Sequence, residues 1–166
     1  GETILHRACR GDHLGFILNS VIARNVDIDM RDVNGQTVLH LASQEGQLDI
    51  AKQLINNNAS VNAKSDAGET PLLFACRGGH LDVAEMLINN NANVHARTDD
   101  GGYTALHLAC LEGHSEIAKL LIANLVDVNV TDENGWTPLY RAYIERHLGI
   151  LQLLIDNNAD LDAVDT

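Results

Sequence analysis

Residues 102–113 read GYTALHLACLEG, and the chain writes variants of this stretch five times. Residues 1–9 are GETILHRAC, 35–43 are GQTVLHLAS, 68–76 are GETPLLFAC and 135–143 are GWTPLYRAY. The leading glycines stand 34, 33, 34 and 33 residues apart. Self-similarity at a fixed period of this size marks a stacked array, in which each unit buries its apolar side against the next one instead of around a single core.

Within each unit the local signals are helical. The threonines Thr3, Thr37, Thr70, Thr104 and Thr137 are N-caps, and Pro71 and Pro138 stand at the first helical position, where a missing N–H costs least. A short first helix runs to a stopping glycine at Gly46, Gly79 or Gly113. The spacing then predicts second helices over Leu48–Asn56, Leu81–Asn89, Ser115–Ala123 and Leu148–Asp156. An extended finger follows, such as Val61-Asn62-Ala63, turning at Asn34-Gly35 and Asn134-Gly135. Each second helix ends at a position suited to positive φ, held by Asn25, Asn58, Asn91 and Asn158. Leu125 takes that place in the fourth unit, where its β-carbon costs about 1–2 kcal/mol.

The T-P-L-H-x-A core and 33-residue spacing resemble the ankyrin repeat family over the whole chain. The resemblance implies an all-α repeat solenoid, elongated and curved, of helix-turn-helix repeats joined by β-hairpin fingers. The repeats fall at residues 1–34, 35–67, 68–101, 102–134 and 135–166. Insertions break the period near Asn19–Ser20 and at the finger Thr98–Gly102. Asp12 and Arg146 stand where other repeats have the stopping glycine. Asp165-Thr166 reads as the start of another finger, so the expectation is a fragment of a longer array or of a multidomain protein.

Net charge is −12, from 11 basic and 23 acidic residues. That argues against nucleic-acid backbones and anionic membranes and favours protein surfaces that are basic or apolar. No apolar run is long enough to insert into a bilayer. Cys9, Cys76 and Cys110 each stand six residues after the repeat threonine, which reads as one recurring packing position with free thiols, and hence as an intracellular, cytoplasmic or nuclear protein. The motif histidines His6, His40 and His107 read as bridges to local backbone, and His13, His80, His114 and His147 open the second helices. No metal-ligand spacing, catalytic pairing, cofactor motif or small-molecule site stands out. The expectation is therefore no enzyme, no cofactor and no metal. Asp32, Asp99 and Asp132 are expected to hold the finger turns through Asx bonds, and Glu116 with Lys119 to form a solvated pair.

What remains is surface. In the family this chain resembles, partners bind the concave side, built from finger tips and first helices. The residues before each threonine (Glu2, Gln36, Glu69, Tyr103, Trp136) belong to the fingers. Pairs such as Arg77-Gly78, Leu111-Glu112 and Ile144-Glu145 belong to the helix face. Repeats four and five gather Tyr103, Leu111, Trp136 and Ile144 inside a rim of Asp100, Glu112, Glu133 and Glu145, with Tyr103 and Trp136 expected as neighbours on successive fingers. Exposed aromatics are the residues most enriched at binding hot spots. The expected activity is recognition of a protein partner carrying an apolar anchor with Lys or Arg flanks, recruited to a larger assembly. The alternative is a structural spacer or anchoring segment without its own partner. Asn62 and Asn129 occupy the finger place that is open to asparagine hydroxylation in the family, with Asp29, His95 and Asp162 in the matching positions.

Overall fold

The structure is a computed structural model that describes residues 4–10 and 26–162. The features expected at Glu2, Thr3, Gly11 to His13, Asn19–Ser20, Asn25 and Asp165-Thr166 lie outside these residues. Among the described residues there are nine helices: α1 (Ile4–Arg10), α2 (Val38–Gln44), α3 (Leu48–Asn56), α4 (Pro71–Gly78), α5 (Leu81–Asn89), α6 (Ala105–Glu112), α7 (Ser115–Ala123), α8 (Pro138–Ile144) and α9 (Leu148–Asp156). The first helices α1, α2, α4, α6 and α8 pack in one row, the second helices α3, α5, α7 and α9 in another, and each first helix from α2 onward packs on its own second helix. The result is an all-helical repeat solenoid.

The two rows differ in burial because they sit differently in the stack. In α6 every residue from Ala105 to Cys110 is buried, since neighbouring repeats flank it on both sides and its own second helix closes a third. In α5 the buried residues are Val83, Ala84, Met86 and Leu87, one stripe at helical spacing facing inward. Cys9, Cys76 and Cys110 are all buried, and burial pushes the Cys76 thiol up to about 12 and the Cys110 thiol higher still. All three are packing groups, and those of Cys76 and Cys110 are held far from the reactive thiolate form.

Two sets of histidines stitch successive repeats together. The backbone N–H of Thr37 donates to His40 Nδ1 at 3.0 Å, which fixes the proton on Nε2, and Nε2 donates to the Glu69 carbonyl at 3.0 Å. His107 repeats the arrangement between Thr104 and the Trp136 carbonyl, and His6 Nε2 lies 2.9 Å from the Gln36 carbonyl. The motif histidine therefore bonds local backbone at Nδ1, as expected, and in addition reaches forward 29 or 30 residues through Nε2. Burial lowers the pKa of both His40 and His107 to about 4, so both are neutral. The loop histidines reach backward: Nε2 of His80, His114 and His147 donates to the carbonyls of Gln44, Arg77 and Leu111 at 2.8, 3.0 and 3.2 Å. Each of these rings lies against the left-handed glycine of the preceding repeat. A β-carbon on Gly79 or Gly113 would stand 2.6 or 2.7 Å from the His114 or His147 ring, and one on Gly46 would run into His80.

The third repeat shows what happens when this bridge is missing. Leu73 occupies the histidine position, and the buried hydroxyl of Thr70 is left without a hydrogen-bond partner. The left-handed turns follow the sequence: Asn58, Asn91 and Asn158 have φ of 66°, 65° and 63°, and Leu125 adopts 59° in the same place. Arg146, in the position of Gly46, Gly79 and Gly113, also takes a positive φ of 61°.

The fingers are tight hairpin turns with little strand. One antiparallel bridge, Arg97 with Thr104, is present among the described residues. Val61 and Asn62, expected to be extended, lie in a turn, and Ala63 N–H donates back to the Ser60 carbonyl. The turn-holding side chains are Asp32, Ser65, Thr98 and Asp132. Asp32 Oδ1 accepts from Asn34 and Gln36, Asp132 Oδ1 from Asn134 and Trp136, Ser65 Oγ from Ala67 and Glu69, and Thr98 Oγ1 from Tyr103. Asp99, expected in this role, stands one residue beyond it, because the extra finger residue follows Thr98. Successive fingers are joined by Asp66 N–H to Asn34 O (3.0 Å), Asp99 N–H to Ala67 O (2.9 Å) and Glu133 N–H to Gly101 O (3.0 Å). Arg31 and Arg97 add donations to the next finger, at Lys64 O and Thr131 O.

Candidate protein-binding face

The fingers and the first helices meet on one side of the stack, and the threonine cap fixes what each contributes. The residue before the cap ends the finger, and the residues seven and eight after it close the first helix. In repeats two and three this face is polar and internally paired. Arg77 forms an ion pair with Glu69, which is itself almost buried, and its guanidinium lies 5.9 Å from the centre of the Phe74 ring. Arg77 is half-buried and committed to its own finger.

Repeats four and five are different. Tyr103 and Trp136 do lie close together, but the rings do not meet directly: Arg141 stands between them. Its guanidinium carbon lies 4.8 Å from the Tyr103 ring centre and 4.3 Å from that of Trp136. The same group donates to the Tyr103 hydroxyl at 2.8 Å and pairs with the carboxylate of Asp132. Trp136 also packs on Tyr140, with ring centres 5.0 Å apart. Arg141 is 8% exposed and the Asp132 side chain is fully buried. Burial alone would raise the Asp132 pKa, but Arg141 and the backbone N–H groups of Trp136 and Asn134 outweigh it and hold the carboxyl below its usual value. A buried ion pair of this kind is stable only when both partners stay.

Both rings are therefore half-buried and held in place. Beside them, Leu111 is half-buried and Ile144 is exposed, while Asp100, Glu112, Glu133 and Glu145 are all exposed. Lys119 pairs with Glu116 at 2.7 Å on the outer surface, well away from this face in the chain. Sequence reasoning missed Arg141 as the organiser. The signal was present: Leu41, Phe74 and Leu108 hold that position in repeats two to four, and an arginine in a buried apolar position requires a carboxylate partner.

Asn62 and Asn129 lie exposed on the finger-bearing loops, and both use their amides between repeats. Asn62 Oδ1 accepts from Asn93 N–H at 2.7 Å and its Nδ2 donates to Asn91 O, while Asn129 Oδ1 accepts from Asp160 N–H at 2.8 Å. Among the described residues no group of three or more His, Cys, Asp or Glu side chains is placed to hold a metal ion, and no helix is long and apolar enough to cross a membrane.

Compared with known proteins, the chain matches the family model described as ankyrin repeats (three copies) over residues 5–98, 60–132 and 92–165. No curated protein matches it.

Proposed function

The chain belongs to the ankyrin repeat family, whose members are generally protein–protein interaction modules and typically non-enzymatic, and on that premise we propose that it recognises a protein partner on the finger and first-helix face of repeats four and five. The single observation that supports this reading most is the Arg141 clasp. It fixes Tyr103 and Trp136 in one geometry beside the apolar Leu111 and Ile144, so little side-chain freedom is lost when a partner lands. The surrounding Asp100, Glu112, Glu133 and Glu145 favour a partner whose apolar anchor is flanked by Lys or Arg. Arg77, occupied by Glu69, contributes specificity at the edge of the face rather than an anchor. The role is recruitment of that partner to a larger assembly inside the cell, in keeping with three buried free thiols.

The test is a pull-down from native lysate with wild type and with Leu111→Lys/Ile144→Lys, which leaves the Arg141 clasp intact. A protein held by wild type and lost by an equally stable variant supports the reading. If both retain the same proteins, the face is wrong. A second reading, a spacer segment without a private partner, is favoured by one observation: the two rings already serve to enclose Arg141 and Asp132. It gains if neither bait holds anything. Asn62 and Asn129 are proposed hydroxylation positions, and mass spectrometry of native protein finding no added oxygen on either loop removes that idea. Each amide is bonded to the following repeat, so modification requires the loop to open first.

A further inference from the structure

We propose that the solenoid flexes at one internal joint, between repeats three and four. There the loops after α5 and α7 open and close while the finger tips and first helices act as the pivot. The cause is His95, which stands where the other joints carry a clamping Asp or Asn. The joint is independent of what the finger-side face binds.

Asp29, Asn62, His95 and Asn129 hold matching places in repeats one to four. At three of them the side chain crosses to the loop of the next repeat. Asp29 accepts from Ser60 N–H at 2.9 Å, Asn62 Oδ1 from Asn93 N–H at 2.7 Å and Asn129 Oδ1 from Asp160 N–H at 2.8 Å. Both asparagines also donate from Nδ2, to the carbonyls of Asn91 and Asn158. The matching groups in repeat four are the N–H of Asp127 and the carbonyl of Leu125. Among the described residues neither has a hydrogen-bond partner across the joint, and the exposed His95 ring makes no hydrogen bond. A carboxamide presents its acceptor and its donor to one side, whereas the two imidazole nitrogens point apart. Histidine therefore does not replace this clamp.

The packing at this joint is also looser. Val126 follows the left-handed turn of repeat four, where Ala59, Ala92 and Ala159 are buried in the other repeats. Val126 is half-buried, since a β-branched side chain does not sink where a methyl group fits. The three alanine N–H groups donate to the carbonyls of Leu54, Leu87 and Leu154 at 3.0 Å, but Val126 N–H lies 3.5 Å from that of Leu121. A cavity of about 180 Å³ remains, with Val94, His95 and Arg97 of repeat three on it and Val126, Asp127 and Val130 of repeat four. Its lining forfeits the contacts a filled joint would make. The rest of the joint is held. At the finger tips Glu133 N–H donates to the Gly101 carbonyl at 3.0 Å and Arg97 to that of Thr131 at 2.8 Å. His114 Nε2 donates to the Arg77 carbonyl at 3.0 Å, and α4 packs on α6. Arg77 lies on one side of the joint and the clasped Tyr103 and Trp136 on the other, so opening changes the angle between the two halves of the finger-side face.

The experiment is pulsed dipolar spectroscopy with spin labels on Lys52→Cys and Gln152→Cys, exposed positions on α3 and α9 that span the joint. The native thiols Cys9, Cys76 and Cys110 are buried. His95→Asn supplies the missing clamp, Asn62→His opens the matching gap one joint earlier, and His95→Ala removes the ring without adding a clamp. The expected result is a broad distance distribution in wild type, narrowed by His95→Asn, left broad by His95→Ala and widened by Asn62→His. Hydrogen exchange on the same proteins checks the clamp itself: the Asp127 amide should exchange roughly fivefold more slowly in His95→Asn. If it gains no protection, His95→Asn/Val126→Ala lets the loop settle and takes its place. The proposal is overturned if the distribution does not narrow once that amide is protected, if His95→Ala narrows it equally, or if neither clamped variant protects the amide.

Discussion

Leu125 offers the cleanest test of how the repeat turns are built. It follows α7, adopts a φ of 59° where Asn58, Asn91 and Asn158 adopt 63–66°, and its side chain is 87% exposed. Its N–H still donates to the Ile122 carbonyl at 3.0 Å, so the turn keeps its hydrogen bond and only the backbone conformation is strained. Leucine in that conformation costs about 1–2 kcal/mol relative to glycine. Glycine also frees the unfolded chain, which offsets about 0.4–1 kcal/mol of the gain. Leu125→Gly should therefore stabilise by about 0.5–1 kcal/mol, a rise in Tm of roughly 1–4 °C for a chain of this size. The assay is thermal and urea denaturation followed by far-ultraviolet circular dichroism, with Leu125→Ala beside it. Alanine keeps the β-carbon and should stay within about 0.5 kcal/mol of wild type. An equal gain in both variants would assign the effect to the exposed side chain. No gain with glycine would refute the strain argument outright.

Arg141→Met should destabilise by about 3 kcal/mol in urea melts, because it leaves the Asp132 carboxylate buried without its ion-pair partner. The only tryptophan is Trp136, so its emission should shift in the same variant. Thr70→Val should be neutral or stabilising within about 1 kcal/mol, since it replaces an unbonded buried hydroxyl with a methyl group, whereas Thr104→Val should lose about 1 kcal/mol with its contact to His107. Stability should also depend on pH through His40 and His107. Their folded pKa of about 4 lies below the unfolded value of 6.5, so the unfolded chain binds protons first. Their contribution is complete above 6.5 and declines as the pH falls toward 4, by up to about 3 kcal/mol for each histidine. His107→Leu, which copies Leu73, should flatten part of the slope between pH 6.5 and 5 in denaturation midpoints, where carboxylates titrate little.

The periodic features were legible because they depend on local chemistry. All four second helices fall where their apolar spacing put them, and the asparagines and Leu125 take the positive φ that their place in the motif requires. Features that span repeats were not legible. The local half of the histidine bridge was legible, but the second targets of His40 and His107 lie 29 residues on, where the motif alone gives no sign of them. Asp99 was misjudged because a single inserted residue moves the turn-holding role back to Thr98. The expectation that Tyr103 and Trp136 are neighbours came from finger spacing alone. Spacing cannot show that a guanidinium 38 residues after Tyr103 fills the gap.

The departures from repeat chemistry are concentrated at one end of the described chain. Leu125 and Arg146 occupy left-handed positions without the glycine or asparagine that suits them, Arg141 buries a charge in an apolar position, and Tyr143 and Leu148 expose large side chains. In a stacked array the stability of each repeat and each interface adds nearly independently. A cost in repeats four and five is therefore borne locally and does not spread to α2–α5. Sequences usually keep local preference and global fold consistent, and where they break that rule the reason is commonly functional. The proposed face of clasped aromatics is built around one of the residues that break it, Arg141.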